Sequence, residues 1–244
     1  MSVIFVTGAG TDIGKTYVSC ALLTALRDRG QPVAALKPVV SGVAAADHPG
    51  FDASDTARLL RAAGAPATPD VVEACSPWRF TAPLSPDMAA AKEGRSLGLA
   101  DVVAWCRRRI AETAPGTLIL IEGVGGVMSP IAEDGLVLDL ILALGCPAVL
   151  VAGSYLGAIS HALTALAVLE GRGLEVAALV VNETDGATVT LDATAAALAK
   201  YARTVPIHTL GRNGVAPAAL IGTLTSAAGR GITESRVLRP CNPI

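Results

Sequence analysis

The chain has 244 residues, 19 Lys plus Arg against 21 Asp plus Glu, and a formal net charge of −2. That length can bury most of its apolar surface in one core without disulfide or metal staples, and the charge balance offers no electrostatic case for nucleic acid. Aromatic residues make up only 3% while Ala, Val, Leu and Gly abound, a composition suited to helices packed closely on a sheet.

The chain opens on an apolar run, Val3-Ile4-Phe5-Val6, followed by Gly8-Ala9-Gly10-Thr11-Asp12-Ile13-Gly14-Lys15-Thr16. Val18, Leu22 and Leu26 then recur at helical spacing, predicting a helix over 15–29 that stops at Gly30. Val33–Leu36 reads as a short buried strand ending at Lys37-Pro38. A loop follows, with Ser41-Gly42 and Asp47-His48-Pro49-Gly50. Ser54 is an N-cap for a helix through Asp55, Leu59 and Leu60, with Gly64 beyond its end. Residues 65–84 hold several prolines and read as irregular. Ser85-Pro86-Asp87 starts a helix that Gly94 closes, and residues 99–113 form another. Thr117–Ile121 is the strongest strand signal and ends at Glu122-Gly123, before a second flexible loop at Gly125-Gly126. A helix over 136–144, a strand over 148–151, a helix over 157–169 and a strand over 177–181 follow, then a helix over 190–202. Residues 206–244 have weak periodicity, and no element is placed there; 225–244 is the least assignable part.

These strands are continuous apolar runs rather than period-two alternations, so both sheet faces are covered. The expected fold is a single α/β domain, doubly wound, with a mostly parallel sheet and helices on both faces. Ligands bind past the carboxyl ends of such strands. There stand Gly8–Thr16, Lys37, Glu122 and Asn182.

The five cysteines, at 20, 75, 106, 146 and 241, show no paired spacing and no accompanying His motif. They read as reduced thiols of a cytoplasmic protein rather than as a disulfide frame or a nucleophile. His48, His161 and His208 have no metal-ligand spacing. Arg107-Arg108-Arg109 reads as a solvated helix face. The most apolar stretch, 136–151, carries Asp139 and Gly145-Cys146-Pro147, so no membrane span is expected.

A glycine-rich turn between a buried strand and a helix cradles phosphate with backbone N–H groups and the positive helix end. Lys15 can reach the outer phosphates, and the Thr16 hydroxyl can ligate Mg²⁺. The usual loop has four residues between its first glycine and Gly-Lys-Ser/Thr, whereas Gly8 and Gly14 are separated by five. Either the loop is one residue longer, or Gly10 does part of the first glycine's work. Asp55 and Glu122 are the acids suited to Mg²⁺, which takes oxygen ligands; Asp55 reads equally well as a first-turn helix acid. Lys37 can neutralise a transferring phosphoryl group, or be a loop lysine at the surface. Ser41 alone carries little information.

In order along residues 3–183, the chain resembles the dethiobiotin synthase family. The resemblance is carried by Phe5-Val6-Thr7-Gly8 with Thr11 and Gly14-Lys15-Thr16, by Lys37-Pro38-Val39 with Ser41-Gly42, and by Ser54-Asp55. It continues through Phe80, Pro83, Ser85-Pro86 and Glu93-Gly94-Arg95, then Glu122-Gly123 with Gly125-Gly126, Leu156-Gly157 with Ile159 and His161, and Val181-Asn182. The longer phosphate loop is itself this family's form. Departures are Ala9-Gly10 where Thr-Asp is common, Asp12 for Glu, Ser160 for Asn and Glu183 for Asp.

The resemblance implies a P-loop NTPase fold and an enzyme that makes dethiobiotin from 7,8-diaminononanoate, CO₂ and ATP with Mg²⁺. An amine becomes a carbamate, the carbamate takes the γ-phosphoryl group, and the second amine closes the ureido ring. It further implies that Thr16, Asp55 and Glu122 hold Mg²⁺, and that Asp12, Ile13, Gly14, Lys15, Thr16 and Tyr17 wrap the phosphates. Lys37 is then the main catalytic cation, helped by Lys15 and Thr11. Thr11 and Ser41 touch the diamine or its carbamate. Glu122, Gly123, Val124 and Gly125 border nucleotide and substrate, and Asn182 with Glu183 meets the nucleotide base. The implied assembly is a homodimer in the cytoplasm, with no nucleic-acid or membrane partner. In it, the helix after Leu156-Gly157 offers its N-terminus to a substrate carboxylate in the partner's site. The rival reading from another class is a ParA/MinD-like ATPase switch, which carries an extra lysine early in its phosphate loop. Here that place is Thr7-Gly8.

Overall fold

A computed structural model describes residues 2–45 and 48–229. Asp47, Cys241 and the segment 230–244, named above, lie outside the described residues. In chain order the elements are β1 (Ser2–Gly8), α1 (Lys15–Arg27), β2 (Val33–Leu36), β3 (Val39–Val40), a 3₁₀ turn (Pro49–Ala53), α2 (Asp55–Ala63), α3 (Pro69–Cys75) and β4 (Trp78–Arg79). Then come α4 (Pro86–Lys92), α5 (Leu99–Glu112), β5 (Leu118–Glu122), β6 (Pro130–Ala132), β7 (Gly135–Leu136), α6 (Val137–Leu144) and β8 (Ala148–Ala152). The last are α7 (Ala158–Gly171), β9 (Val176–Asn182), α8 (Leu191–Ala199), β10 (Ile207–Leu210) and α9 (Ala218–Gly229).

Six strands form one sheet in the order β10-β9-β8-β1-β5-β2, every pair parallel. Both faces are covered. Val3, Phe5, Ile119, Ile121, Leu150 and Val181 pack under α5, α6 and α7, whereas Ile4, Val6, Leu118, Leu120, Val149 and Val180 pack under α1 and α9. Strand residues therefore alternate between two apolar layers, which is why the strands read as unbroken hydrophobic runs. A smaller cluster of Val40, Val43, Phe51, Leu60 and Val72 fills the space under the loop from β3 to α2.

The strand order reverses at β1, whose neighbours are β5 on one side and β8 on the other. The crevice beyond its carboxyl end is where a doubly wound sheet binds ligands. Register places the next residues: Leu36 pairs with Ile121, so Lys37 and Glu122 emerge side by side.

Two expectations need correction. Residues 65–84 are not irregular. Thr68-Pro69-Asp70 opens α3, where proline at the first helical position starts a helix rather than breaking one. Beyond it, β4 pairs with β3 through Val39↔Trp78 and Val40↔Arg79. The segment after 206 also carries structure. Its strand β10 is a half-exposed edge with His and Thr in it, and α9 is built of small residues, so neither has a strong periodic signature. The hairpin of β6 and β7 was likewise unpredicted.

Candidate functional site

The loop between β1 and α1 turns on two residues with positive φ, Asp12 at 55° and Gly14 at 87°. Its first glycine is Gly8: a Cβ there would meet Ile13 Cδ1 at 2.7 Å, whereas one at Gly10 would find nothing closer than 4.0 Å. The loop is thus one residue longer than usual, and Gly10 does not stand in for Gly8. Ile13 sends its side chain into the core, 5% exposed, and leaves only its backbone to the loop. The Lys15 ammonium bonds the Gly10 carbonyl at 3.0 Å. Burial and then the Lys37 charge push its pKa down from 10.5 to about 8.

The charged centre lies one residue layer deeper. Glu122, the last residue of β5, is wholly buried. Its Oε1 accepts from Thr16 Oγ1 at 2.7 Å and from Lys37 Nζ at 2.6 Å. Lys37, 2% exposed, also contacts Asp55 Oδ2 through the same ammonium. Burial opposes the Lys37 charge, but the Glu122 and Asp55 carboxylates overcome it and raise its pKa. Burial likewise opposes charge on Asp55, and Lys37 with the Thr16 hydroxyl outweighs it, holding the carboxyl below its usual range. Ser54 caps α2 by accepting from the Ala57 N–H, which sets Asp55 in the first turn facing Lys37. The Lys37 backbone N–H is held by the Cys75 carbonyl at 2.9 Å.

An open cleft of about 330 Å³ stands over this centre. Of the residues singled out from sequence, Thr11, Asp12, Gly14, Lys15, Thr16, Tyr17, Lys37, Ser41, Asp55, Val124 and Gly125 all line it. Glu122 is bonded to two of them, and Gly123 lies behind it, with its N–H on the Val6 carbonyl. Ser41 Oγ donates to the Leu84 carbonyl at 2.6 Å, so that loop is pinned by the segment after β4. Asn182 stands against the phosphate loop and donates to the Ile13 carbonyl. Glu183 does not line the cleft. Its carboxylate accepts from the Arg212 backbone N–H at 2.7 Å, beside a separate hollow.

Two neighbours were missed. Arg58 lines the cleft three residues after Asp55 on α2, a spacing that could have found it. The turn after β10 is tied to α1 because Tyr17 OH donates to the Gly211 carbonyl at 2.8 Å and accepts from the Gly214 N–H at 2.9 Å. Without β10 placed, nothing pointed there. Of the histidines, His48 caps the 3₁₀ turn through Nδ1 and His161 pairs with Tyr155 OH, both in structural roles. Among the described residues no helix is long and apolar enough to cross a membrane.

The oxygens of the centre suit a hard divalent ion. Glu122 Oε2 is buried with no hydrogen-bond partner, while the Oε1 of the same carboxylate takes the Thr16 hydroxyl and the Lys37 ammonium that also contacts Asp55. An unpaired buried carboxylate oxygen is costly unless a cation serves it.

A family model described as "AAA domain" matches residues 2–212. The chain is 56% identical over 218 residues to the ATP-dependent dethiobiotin synthetase BioD of Methylobacterium nodulans, covering 89% of this chain and 96% of that protein. It is 46% identical over 242 residues to the protein of the same description from Phenylobacterium zucineum, covering 96% and 99%. Among solved structures, the MinC:MinD cell division protein complex of Aquifex aeolicus superposes with a TM-score of 0.53 over 97% of this chain and 99% of that one. Its sequence identity is 14%, so that likeness concerns the fold alone. With the phosphate loop, the buried Lys37–Glu122 centre and relatives alike over nearly their whole length, the chain belongs to the ATP-dependent dethiobiotin synthetase family, within the broader AAA-domain family.

Proposed function

We propose that the chain closes the ureido ring of dethiobiotin from 7,8-diaminononanoate, CO₂ and ATP, releasing ADP and phosphate. The observation that carries this is the convergence of Lys15, Lys37, Thr16, Asp55 and Glu122 at one cleft, in a chain 56% identical to a dethiobiotin synthetase. A carbamate and a triphosphate are both anions, and the reaction needs them in contact. Two lysines, the loop N–H groups and the N-terminus of α1 supply the opposing charge and fix the geometry.

In this reading one amine of the substrate adds to CO₂ and loses a proton, giving a carbamate. A carbamate oxygen attacks the γ-phosphorus and ADP leaves. The second amine attacks the carbonyl of the resulting carbamic–phosphoric anhydride; phosphate leaves and the ring nitrogen gives up its proton. Asp12 to Tyr17 hold the phosphates, with Lys15 on the outer ones. Lys37 balances charge on the transferring group. Thr11 and Ser41, which both line the cleft, position the diamine and its carbamate. Thr16, Asp55 and Glu122 would hold Mg²⁺, which supplies Lewis-acid neutralisation of the phosphate oxygens. One Asn182 amide N–H is spent on Ile13, leaving the other N–H and the oxygen for the nucleotide base, with Glu183 shaping the adjoining turn. No covalent enzyme intermediate is required.

The assembly we favour is a cytoplasmic homodimer. Leu156, 88% exposed, precedes the N-terminus of α7, whose Gly157 makes no side-chain cap. That end would face the substrate carboxylate of the partner's site.

The test is direct. Purified chain is mixed with 7,8-diaminononanoate, bicarbonate and Mg-ATP, and products are read by mass spectrometry. Dethiobiotin and ADP in equal amounts are expected. ATP hydrolysis that ignores the diamine would instead favour a ParA/MinD-like switch.

A further inference from the structure

Lys37 does not wait in open space for a phosphate. Its ammonium is already committed to Glu122 Oε1, at 2.6 Å, and to Asp55 Oδ2. These are the two carboxylates assigned above to Mg²⁺. Two carboxylates that close, one of them wholly buried, cannot both stay ionised without a cation between them. In the ligand-free chain that cation is Lys37. Yet the reaction needs the same ammonium at the transferring phosphoryl group, and one ammonium cannot fully serve both places.

We propose that Lys37 is the resident counter-ion of the metal site, released from Asp55 and Glu122 when a divalent ion arrives with the nucleotide and passed to the phosphates by that exchange. This rests on the assignment of Asp55 and Glu122 to the metal. The bonding pattern supports it. Glu122 Oε1 carries two donors, Thr16 and Lys37, while Oε2 carries none. Oε2, buried beneath the cleft, is thus the one oxygen of Glu122 left without a donor for an ion to serve while the ammonium still holds Oε1. Lys15 is not part of the exchange, since its ammonium rests on the Gly10 carbonyl.

The exchange makes metal and nucleotide binding interdependent. A divalent ion alone must evict an ammonium that has no other anion to go to, so it binds weakly. With ATP present the phosphates receive the ammonium, and each ligand strengthens the other.

The experiment is Mn²⁺ binding to the full-length chain, followed by electron paramagnetic resonance, with and without ATP. For Mn²⁺ alone, Lys37→Met and Lys37→Gln are expected to bind about 10- to 100-fold more tightly than the wild type. The strengthening of Mn²⁺ binding by ATP should shrink in both variants. Unchanged Mn²⁺ affinity in both would overturn the exchange. Asp55→Asn and Glu122→Gln separate this from failure of the metal assignment. If they leave Mn²⁺ binding in the ATP complex untouched, the assignment falls and the exchange with it. If they weaken it while the Lys37 variants match the wild type, the exchange alone falls. Should the Lys37 variants fold only with Mn²⁺ present, the ion is replacing the missing counter-ion, as expected. If Mn²⁺ fails to restore folding, the two cations are not interchangeable and the proposal is wrong.

Discussion

Asn182 donates its side-chain amide to the Ile13 carbonyl at 3.0 Å, tying the carboxyl end of β9 to the turn of the phosphate loop. The contact depends on Gly14, the next residue, which has φ of 87° and no side chain. A Cβ at that position would lie 2.1 Å from Asn182 Nδ2. Gly14→Ala must therefore break the tie and adopt a left-handed backbone, which alone costs about 1–2 kcal/mol. The variant should lose ATP binding in calorimetry and melt several degrees lower. Normal ATP affinity would show that the turn has room that the Asn182 contact denies.

Lys37→Ala should lower kcat by about two to three orders of magnitude, the scale of a lost charge at a developing anion. The KM for ATP should move only a few-fold, because Lys15 and the loop N–H groups remain. Steady-state kinetics under saturating diamine separates the two constants. Near-normal turnover would remove Lys37 from the transferring group. The same change leaves Glu122 buried beside an empty place, a loss of about 3–5 kcal/mol by analogy with broken buried pairs. Melting should therefore be followed alongside activity.

The Asp55 carboxyl lies below its usual range because Lys37 and Thr16 outweigh burial, and the Lys37 pKa is raised by its two carboxylates. The signs combine simply. The Asp55 contribution is present above its unfolded pKa and disappears as pH falls through the lower folded value. The Lys37 contribution is present below its unfolded pKa and disappears as pH rises through the higher folded value. The pair stabilises the fold across neutral pH. Asp55→Asn should reduce stability at pH 7 and flatten its fall below about pH 4. It should also raise the Mg²⁺ concentration needed for half-maximal turnover. An unchanged Mg²⁺ titration would take Asp55 off the metal.

Much of this centre could be read without coordinates, because each residue sits at a punctuation mark of the chain. Gly14-Lys15-Thr16 starts a helix, Lys37 and Glu122 each end a continuous apolar run, and Asp55 follows a capping Ser54. A parallel sheet brings such ends to one edge, so naming the strands nearly names the site. What could not be read is how the charges are paired. Lys37 looked like a free cation and the acids like free ligands, and only the register Leu36↔Ile121 shows them bonded to one another. Of the elements missed, α3, β4, β10 and the β6–β7 hairpin are short or at an edge and take their stability from neighbours rather than from their own periodicity, and α9 is rich in small residues. With β10 unplaced, the turn that Tyr17 grips was also out of sight.

That turn supports a further prediction. Tyr17 OH is the only side-chain group that an observed hydrogen bond sets between α1 and residues 211–214 among the described residues, accepting from Gly214 and donating to Gly211. Tyr17→Phe keeps the ring and removes both bonds. At about 1 kcal/mol for each neutral bond, the KM for ATP should rise roughly 5- to 30-fold. The kcat should hardly change, because the Tyr17 hydroxyl bonds only backbone of the 211–214 turn and none of the charged groups of the centre. An equal fall in kcat would place Tyr17 in the chemistry rather than in nucleotide positioning.

Lys15 provides the last test, because its burial makes it sensitive to pH. Its pKa falls from 10.5 to about 8 in the ligand-free chain, mainly through desolvation and then through repulsion by Lys37. Below about pH 8 both folded and unfolded chains hold the proton, and the folded chain bears the whole penalty, about 3 kcal/mol for such a shift. Between the two values the unfolded chain binds more protons, so stability rises with pH. Lys15→Met should therefore be more stable than the wild type at pH 7, less the value of the bond to the Gly10 carbonyl, and the advantage should vanish near pH 10. A triphosphate reverses the sign, since its charge favours the ammonium. ATP binding should release or take up almost no proton at pH 7 but take up close to one at about pH 9, which calorimetry in buffers of different ionisation heat measures directly. Proton uptake that is the same in Lys15→Met as in the wild type would mean that another group titrates, and that the buried lysine is already neutral or never needs its charge.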